Sequence, residues 1–172
     1  MHHRPGHGQE YLRMRLFGRD DVGWRILPDR VHDPLNRTDW IFLRWMDIRS
    51  QKDQGNSSMD DPVYLRRLYL VRTPWFSIML HRILRPDPRH MHDHPWNFLA
   101  LVLRGFYQEQ RGWRIYRCRW WNFCRAEGAH KIVYASPTCT TLVFTGKARR
   151  GWGFHTETGW VDWRTYIYGG NA

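Results

Sequence analysis

From residue 62 onward the chain alternates apolar and polar positions in short runs broken by turn residues, which is the pattern of half-buried β-strands. Residues 63–71 (VYLRRLYLV) and 76–84 (FSIMLHRIL) read as two strands joined through Thr73 and Pro74. Further runs at 98–103, 113–123, 131–134, 140–144 and 160–168 follow. About seven short strands with close turn signals, uninterrupted by βαβ units, predict an antiparallel sandwich or barrel and not a parallel sheet. Residues 151–163 (GWGFHTETGWVDW) predict a hairpin with aromatics paired across it.

Before residue 61 the pattern differs. In residues 34–48 (PLNRTDWIFLRWMDI), Thr38 or Asp39 can cap a helix that presents Ile41, Trp45 and Ile48 at helical spacing. Residues 51–58 (QKDQGNSS) are polar and read as a loop or linker. The first ten residues hold three His and two Gly and read as a tail. The expected organisation is a tail and helical extension over 1–60, serving as a lid or a dimer arm, packed on a β-barrel domain over 61–172.

Composition narrows the class. A chain of 172 residues suits one domain, and 42% hydrophobic content with 11 Trp excludes global disorder. Arg interrupts every apolar run short of the roughly 18–20 residues that span a bilayer, and the N-terminus lacks an apolar signal region. A cytoplasmic protein without membrane contact is expected. Cys118, Cys124 and Cys139 show no CxxC spacing, so they read as reduced thiols. Lys and Arg number 27 against 16 Asp and Glu, a net charge of +11, and only Lys52, Lys131 and Lys147 are lysines. The arginine surplus points to an anionic partner, either a small anionic substrate or nucleic acid. The arginines are nonetheless spread along the chain without a basic run, a distribution that a GC-rich coding genome also produces. The adjacent Trp120 and Trp121 must face opposite sides of a strand, and a homodimer would cover the outer one.

The segment RPDPRHMHDHPW, residues 85–96, places His90, His92 and His94 at alternate positions, on one side of an extended strand. Neighbours in this strip are close enough to chelate one ion, whereas His90 and His94 stand roughly 13 Å apart. One metal can therefore take one adjacent pair, and its other ligands must come from elsewhere in the fold. A same-face strip is also compatible with a solvated or hydrogen-bonded cluster.

His92-Asp93-His94, the strand FLALVLRG ending at Gly105, Glu109 beyond it, and the later EGAHKIV at 127–133 together resemble the cupin superfamily. The triplet, the leucine-rich strand and the Gly-x-His-Lys-Ile segment are most similar to its cysteine-dioxygenase-like branch. The run from Leu80 to Trp96 is also similar to cupin-like proteins of phages and bacteria. The resemblance covers about residues 76–145. It implies a mainly β, antiparallel double-stranded β-helix (jelly-roll barrel) behind an N-terminal helical segment. It also implies a metal site of His92, His94 and His130, holding Fe(II) by analogy with that branch, with Zn or Ni as alternatives. Phe98 stands where many cupins carry a metal-binding Glu, so the carboxylate is missing from its usual place. The residues around Leu142–Thr145 do not reproduce the His and Tyr beside the iron of cysteine dioxygenases. A two-His-one-carboxylate arrangement fits poorly: Met91 occupies the position where a His would have to pair with Asp93, no His follows His155-Thr156-Glu157, and Glu109 or Glu127 would have to complete the site.

The reading that follows is a metal-dependent cupin enzyme, a mononuclear non-haem iron oxygenase using dioxygen on a small anionic substrate. Arg72 and Arg82, on the strands before the strip, are candidates for gripping the anion. His155, in aromatic-rich text with Trp152, is a candidate pocket residue, and Trp96, Trp152 and Trp160 are candidates for stacking on a flat substrate. Two alternatives use the same scaffold: a basic nucleic-acid-associated binding protein, and a zinc-bound or metal-independent isomerase with His as general base.

Overall fold

The computed structural model describes residues 40–49 and 62–168. In chain order the strands are β1 (Ile41–Arg49), β2 (Val63–Arg72), β3 (Ser77–Ile83), β4 (Met91–His92), β5 (Phe98–Arg104) and β6 (Tyr107–Arg111). They continue with β7 (Arg114–Cys118), β8 (Trp121–Cys124), β9 (Lys131–Ala135), β10 (Thr140–Thr145), β11 (Gly153–Thr156) and β12 (Gly159–Asp162), followed by the short helix α1 (Trp163–Tyr168). Every recorded strand pairing is antiparallel. A six-stranded sheet runs β1-β2-β3-β10-β5-β8, and two three-stranded sheets, β12-β11-β4 and β7-β6-β9, form the rest.

The period-two patterning puts one set of side chains inside. Cross-strand register lines up Tyr69, Met79, Val143 and Ala100 in one row across β2, β3, β10 and β5. These buried residues form a core cluster with Phe98 and Cys124. A second cluster joins Ile83, Tyr107, Cys118 and Cys139. Burying each large apolar side chain is worth about 1.5–3 kcal/mol, and the second cluster joins the six-stranded sheet to β6 and β7. All three cysteines are free and buried, and burial pushes each thiol up to about 11, so they pack as small apolar groups.

Three expectations are corrected. The helix expected at residues 38–48 is, over its described part, strand β1. Arg44, Met46 and Ile48 are half-buried while Trp45 and Asp47 are exposed, and β2 supplies a full antiparallel partner. Pairing with a distant strand outweighs a local helical spacing that had no core of its own to face. The remainder of the 1–60 extension, with its tail and linker, lies outside the described residues. The run 113–123 is two strands, because the chain leaves the β7-β6-β9 sheet at Arg119-Trp120 and enters the six-stranded sheet as β8. The run 160–168 ends as helix α1: the Asp162 carboxylate accepts from the Arg164 backbone N–H at 2.9 Å, which caps the new helix.

Gly105 closes the β5–β6 turn with φ 73°, a conformation open to glycine. A Cβ there would lie 2.3 Å from Ser136 Oγ and 3.1 Å from the Cys139 backbone, and Ser136 Oγ is already committed to the Phe106 backbone N–H at 3.0 Å. Gly105→Ala is therefore expected to lower stability by about 2 kcal/mol or more, measured by urea denaturation.

Candidate metal centre

The three histidines named by the resemblance converge. One ring nitrogen from each of His92, His94 and His130 lies within 4.8 Å of the others, and the ring centroids are 5.0–5.2 Å apart. The fold achieves this in two ways. His92 and His94 project from the same side of β4 and its continuation. His130 forms a bridge with His92, through backbone hydrogen bonds of 2.9 Å in each direction, just before β9. His90 does not join them: it is exposed, and its Nδ1 bonds the Tyr166 hydroxyl at 2.7 Å.

The donor set suits a divalent cation. His94 Nε2 and His130 Nε2 lie 2.8 Å apart, close to the roughly 3 Å edge expected between neighbouring ligand atoms with metal bonds near 2.1 Å. His92 Nδ1 is buried without a hydrogen-bond partner, with Asp87 Oδ2 3.2 Å away. Burial, then the charge of His130, pushes the His92 imidazole down to about 3. Burial, then His130 and His92, holds His94 well below the usual histidine range. Both are thus neutral at pH 7, as ligation requires.

Behind His130 lies a buried polar network that motif reading alone does not reveal. Glu109, fully buried on β6, accepts from His130 Nδ1 at 2.8 Å through Oε2. The same oxygen accepts from Asn122 Nδ2 at 2.8 Å, while Oε1 pairs with Arg111 Nε. Asn122 also donates to the Tyr107 hydroxyl at 2.8 Å and accepts from Arg111 at 2.5 Å. Burial pushes the Glu109 carboxyl up, but the His130 hydrogen bond and the Arg111 charge outweigh it and hold the group below its ordinary range. Glu109 thus fixes the His130 tautomer, leaving Nε2 with its lone pair toward His94. Its role is to orient a histidine from behind, and its carboxylate is already saturated with donors.

The central residue of the triplet, Asp93, points the other way. It is 2% exposed and accepts from the Gly153 N–H at 2.7 Å, from Arg150 at 2.8 Å and from Trp160 Nε1 at 3.0 Å. The β11–β12 hairpin is thereby pinned against β4, and its Phe154, paired with His92, brings its ring centroid to 5.7 Å from that imidazole.

Apart from Trp152, which stands beside His92, the remaining sequence candidates are placed away from the three histidine rings. His155 follows Phe154 and so faces the opposite side of β11, 3.7 Å from Asp93 Oδ2 and 40% exposed; strand alternation removes it from the pocket. Arg82 bonds the Pro137 carbonyl at 2.7 Å, and Arg72 lies over the Tyr69 ring at 5.9 Å. Glu127 pairs with Arg149 at the surface. Trp96 packs on the core, Trp160 serves Asp93, and Trp152 stacks on Trp163 while its ring centroid stands 6.3 Å from His92. A cavity of about 40 Å³ opens beside His92, lined by Tyr64, Asp87, Arg89, Trp152 and Phe154, with room for a few waters or one small polar group. Burial and the neighbouring Asp87 push the Tyr64 hydroxyl up to about 12, and burial raises the Asp87 carboxyl. Arg89 lies over the Phe154 ring at 5.9 Å.

Metal-free protein should be acid-sensitive. His92, His94 and His81, whose Nε2 accepts from Arg67 at 2.9 Å, all have folded values below their unfolded value near 6.5. The unfolded chain takes up these protons first, so their stability contribution is complete above about pH 6.5 and is lost as pH falls below it. Each group should remove about 1.4 kcal/mol per pH unit, and urea denaturation of chelator-treated protein between neutral and mildly acid pH reads the slope.

No protein-family model matches the chain, and no curated protein does. Solved structures are similar to it. Rru_A2000 from Rhodospirillum rubrum, a cupin-2 domain, gives a TM-score of 0.50 at 10% identity over 68% of this chain and 78% of that one. A cupin 2 conserved barrel domain protein from Rhodopseudomonas palustris gives 0.49 at 14% identity over 68% and 80%. KdgF from Halomonas sp. gives 0.42 at 16% identity over 51% and 81%. Among the described residues no helix is long and apolar enough to cross a membrane. At such identities the likeness concerns architecture, and with its antiparallel sheets the chain has the jelly-roll fold of the cupins.

Proposed function

We propose that this protein is a metal-dependent enzyme whose mononuclear centre is held by His92, His94 and His130. The observation that carries the reading is the convergence of three imidazole nitrogens, two of them 2.8 Å apart, with no carboxylate among them. Three neutral ligands leave a bound divalent ion its full charge, so it would supply Lewis-acid or, as iron, redox chemistry. The all-histidine set, with the resemblance to the cysteine-dioxygenase-like branch, favours Fe(II) and an oxygenase over zinc or nickel.

The chain's own residues supply the rest. Arg89, at the cavity beside His92, replaces Arg72 and Arg82 as the guanidinium suited to an anionic group of a small substrate. Tyr64 and Asp87 line the same cavity, and both are protonated over a wider pH range than usual. Tyr64 therefore keeps its proton at neutral pH and can donate a hydrogen bond to that group. Trp152 and Phe154 form the apolar wall that limits water.

The test is elemental analysis of untagged protein purified without added metal, alongside His92→Ala and His130→Ala. The expected result is iron near one equivalent per chain, lost in both variants while their circular dichroism is kept. Metal absent from wild-type protein that also binds no added Fe(II), or metal content indifferent to the two substitutions, would overturn the centre as drawn.

A further inference from the structure

On the β6–β7 hairpin and the β7–β8 corner stand the four most exposed large apolar side chains among the described residues. These are Trp113 at 83%, Trp120 at 75%, Trp121 at 65% and Ile115 at 61%. Arg114, Arg117, Arg119 and Arg125 accompany them, all exposed. Between residues 110 and 126 the chain has no Asp or Glu. Of the two flanking acids, Glu109 is buried and spent on Arg111 and His130, and Glu127 is paired with Arg149. Among the described residues no ion pair engages those four arginines. Instead, guanidinium groups lie over rings: Arg114 over Trp113 at 4.5 Å and Arg117 over Phe106 at 3.8 Å.

Local geometry holds this surface out. Gly112, at φ 56°, takes the first central position of the two-residue turn between Arg111 and Arg114 and presents Trp113 at its tip. β7 and β8 are each the outermost strand of a sheet, so the surface borders two open edges.

The charge pattern selects the occupant. A second copy docking by two-fold symmetry would set these arginines against each other with no carboxylate between them. An apolar protein partner would strip water from four guanidinium groups without pairing them. A chain that alternates phosphates with flat bases meets both demands, since guanidinium groups pair with phosphates and exposed indoles stack on bases. We propose that the Trp113–Trp121 surface binds single-stranded nucleic acid. The proposal does not depend on the metal centre, whose histidines it does not use.

The test is fluorescence anisotropy of labelled oligo(dT) with full-length protein across a salt series. Three to four phosphate contacts should give a slope of log K against log salt of about −2 to −3. Trp120→Ala and Trp121→Ala should each weaken binding by about tenfold. Arg114→Gln, Arg117→Gln and Arg119→Gln should each flatten the slope by about 0.7. All five positions are exposed, so unchanged circular dichroism and metal content confirm that the fold survives. No binding at low salt, or binding that ignores these substitutions, would overturn the proposal. So would binding to phosphatidylglycerol vesicles without binding to oligonucleotide, or a dimer in sedimentation that the Trp120→Ala and Trp121→Ala variants disperse while oligonucleotide binding is absent.

Discussion

Replacing Glu109 by Ala is expected to cost about 3–5 kcal/mol of folding stability, because it leaves buried partners of a carboxylate without their counter-charge. Glu109 has no exposed surface, and its two oxygens satisfy His130 Nδ1, Asn122 Nδ2 and Arg111 Nε together. Removing it strands all three, and the Asn122 bond to Tyr107 loses its anchor. The melting temperature should fall on the order of 10 °C for a chain of this size. Glu109→Gln separates charge from shape: its amide oxygen can still accept from His130, so the stability loss should be smaller. In Glu109→Ala, Fe(II) or Zn(II) affinity should drop about 10- to 100-fold, since His130 is no longer held in one tautomer, and in Glu109→Gln the drop should be smaller. Urea denaturation of metal-free protein and a competitive chelator titration measure the two effects separately. A Glu109→Ala variant as stable as wild type would mean that the carboxylate is not buried among these donors.

Asp93→Ala should rank second, at about 3 kcal/mol. The Gly153 N–H would be left buried without an acceptor, and Arg150 and Trp160 would lose a charged partner. Arg150 keeps the Ala126 carbonyl at 3.1 Å, which limits the loss. The consequence reaches the metal site through packing: the β11–β12 hairpin loosens from β4, and Phe154 no longer pins His92. Asp93→Asn should fall between, because Oδ1 can still accept from Gly153 while Nδ2 cannot accept from Arg150 or Trp160. Thermal denaturation of the two variants and of an Asp93→Ala/Arg150→Ala pair reads the coupling. Additive effects in that pair would show that the contact contributes nothing of its own.

The two residues mark different kinds of legibility. Asp93 is visible in the sequence as the middle of His92-Asp93-His94, and alternation alone says that it must face away from its neighbours. What it meets there, a hairpin some 60 residues later, is not local information. Glu109 is visible only as a carboxylate beyond Gly105, open to a reading as a metal ligand. Its partner His130 is 21 residues away on another strand, and the bond that makes it an orienting group exists only once β6 and β9 pair. The candidates for gripping an anion show the same limit of local reading. Arg72 and Arg82 sit on strands near the strip in sequence, whereas Arg89, in the loop before β4, is the one that borders the cavity. Its closeness to His92 in the chain was a signal that could have ranked it first.

By itself the sequence determined that the chain is mainly antiparallel β. Most strand positions, the turn at Gly105 and the common face of His92 and His94 also came from it, because period-two patterning and turn chemistry are local properties. Only the tertiary structure decided that residues 41–49 are a strand and that His155 faces away from the cavity. It also decided that His130 completes a cluster with His92 and His94 while Glu109 stands behind it. Each of these depends on which distant strand pairs with which, and in which register. One residue of slip would turn every side chain to the other face, and nothing in a local window specifies that choice.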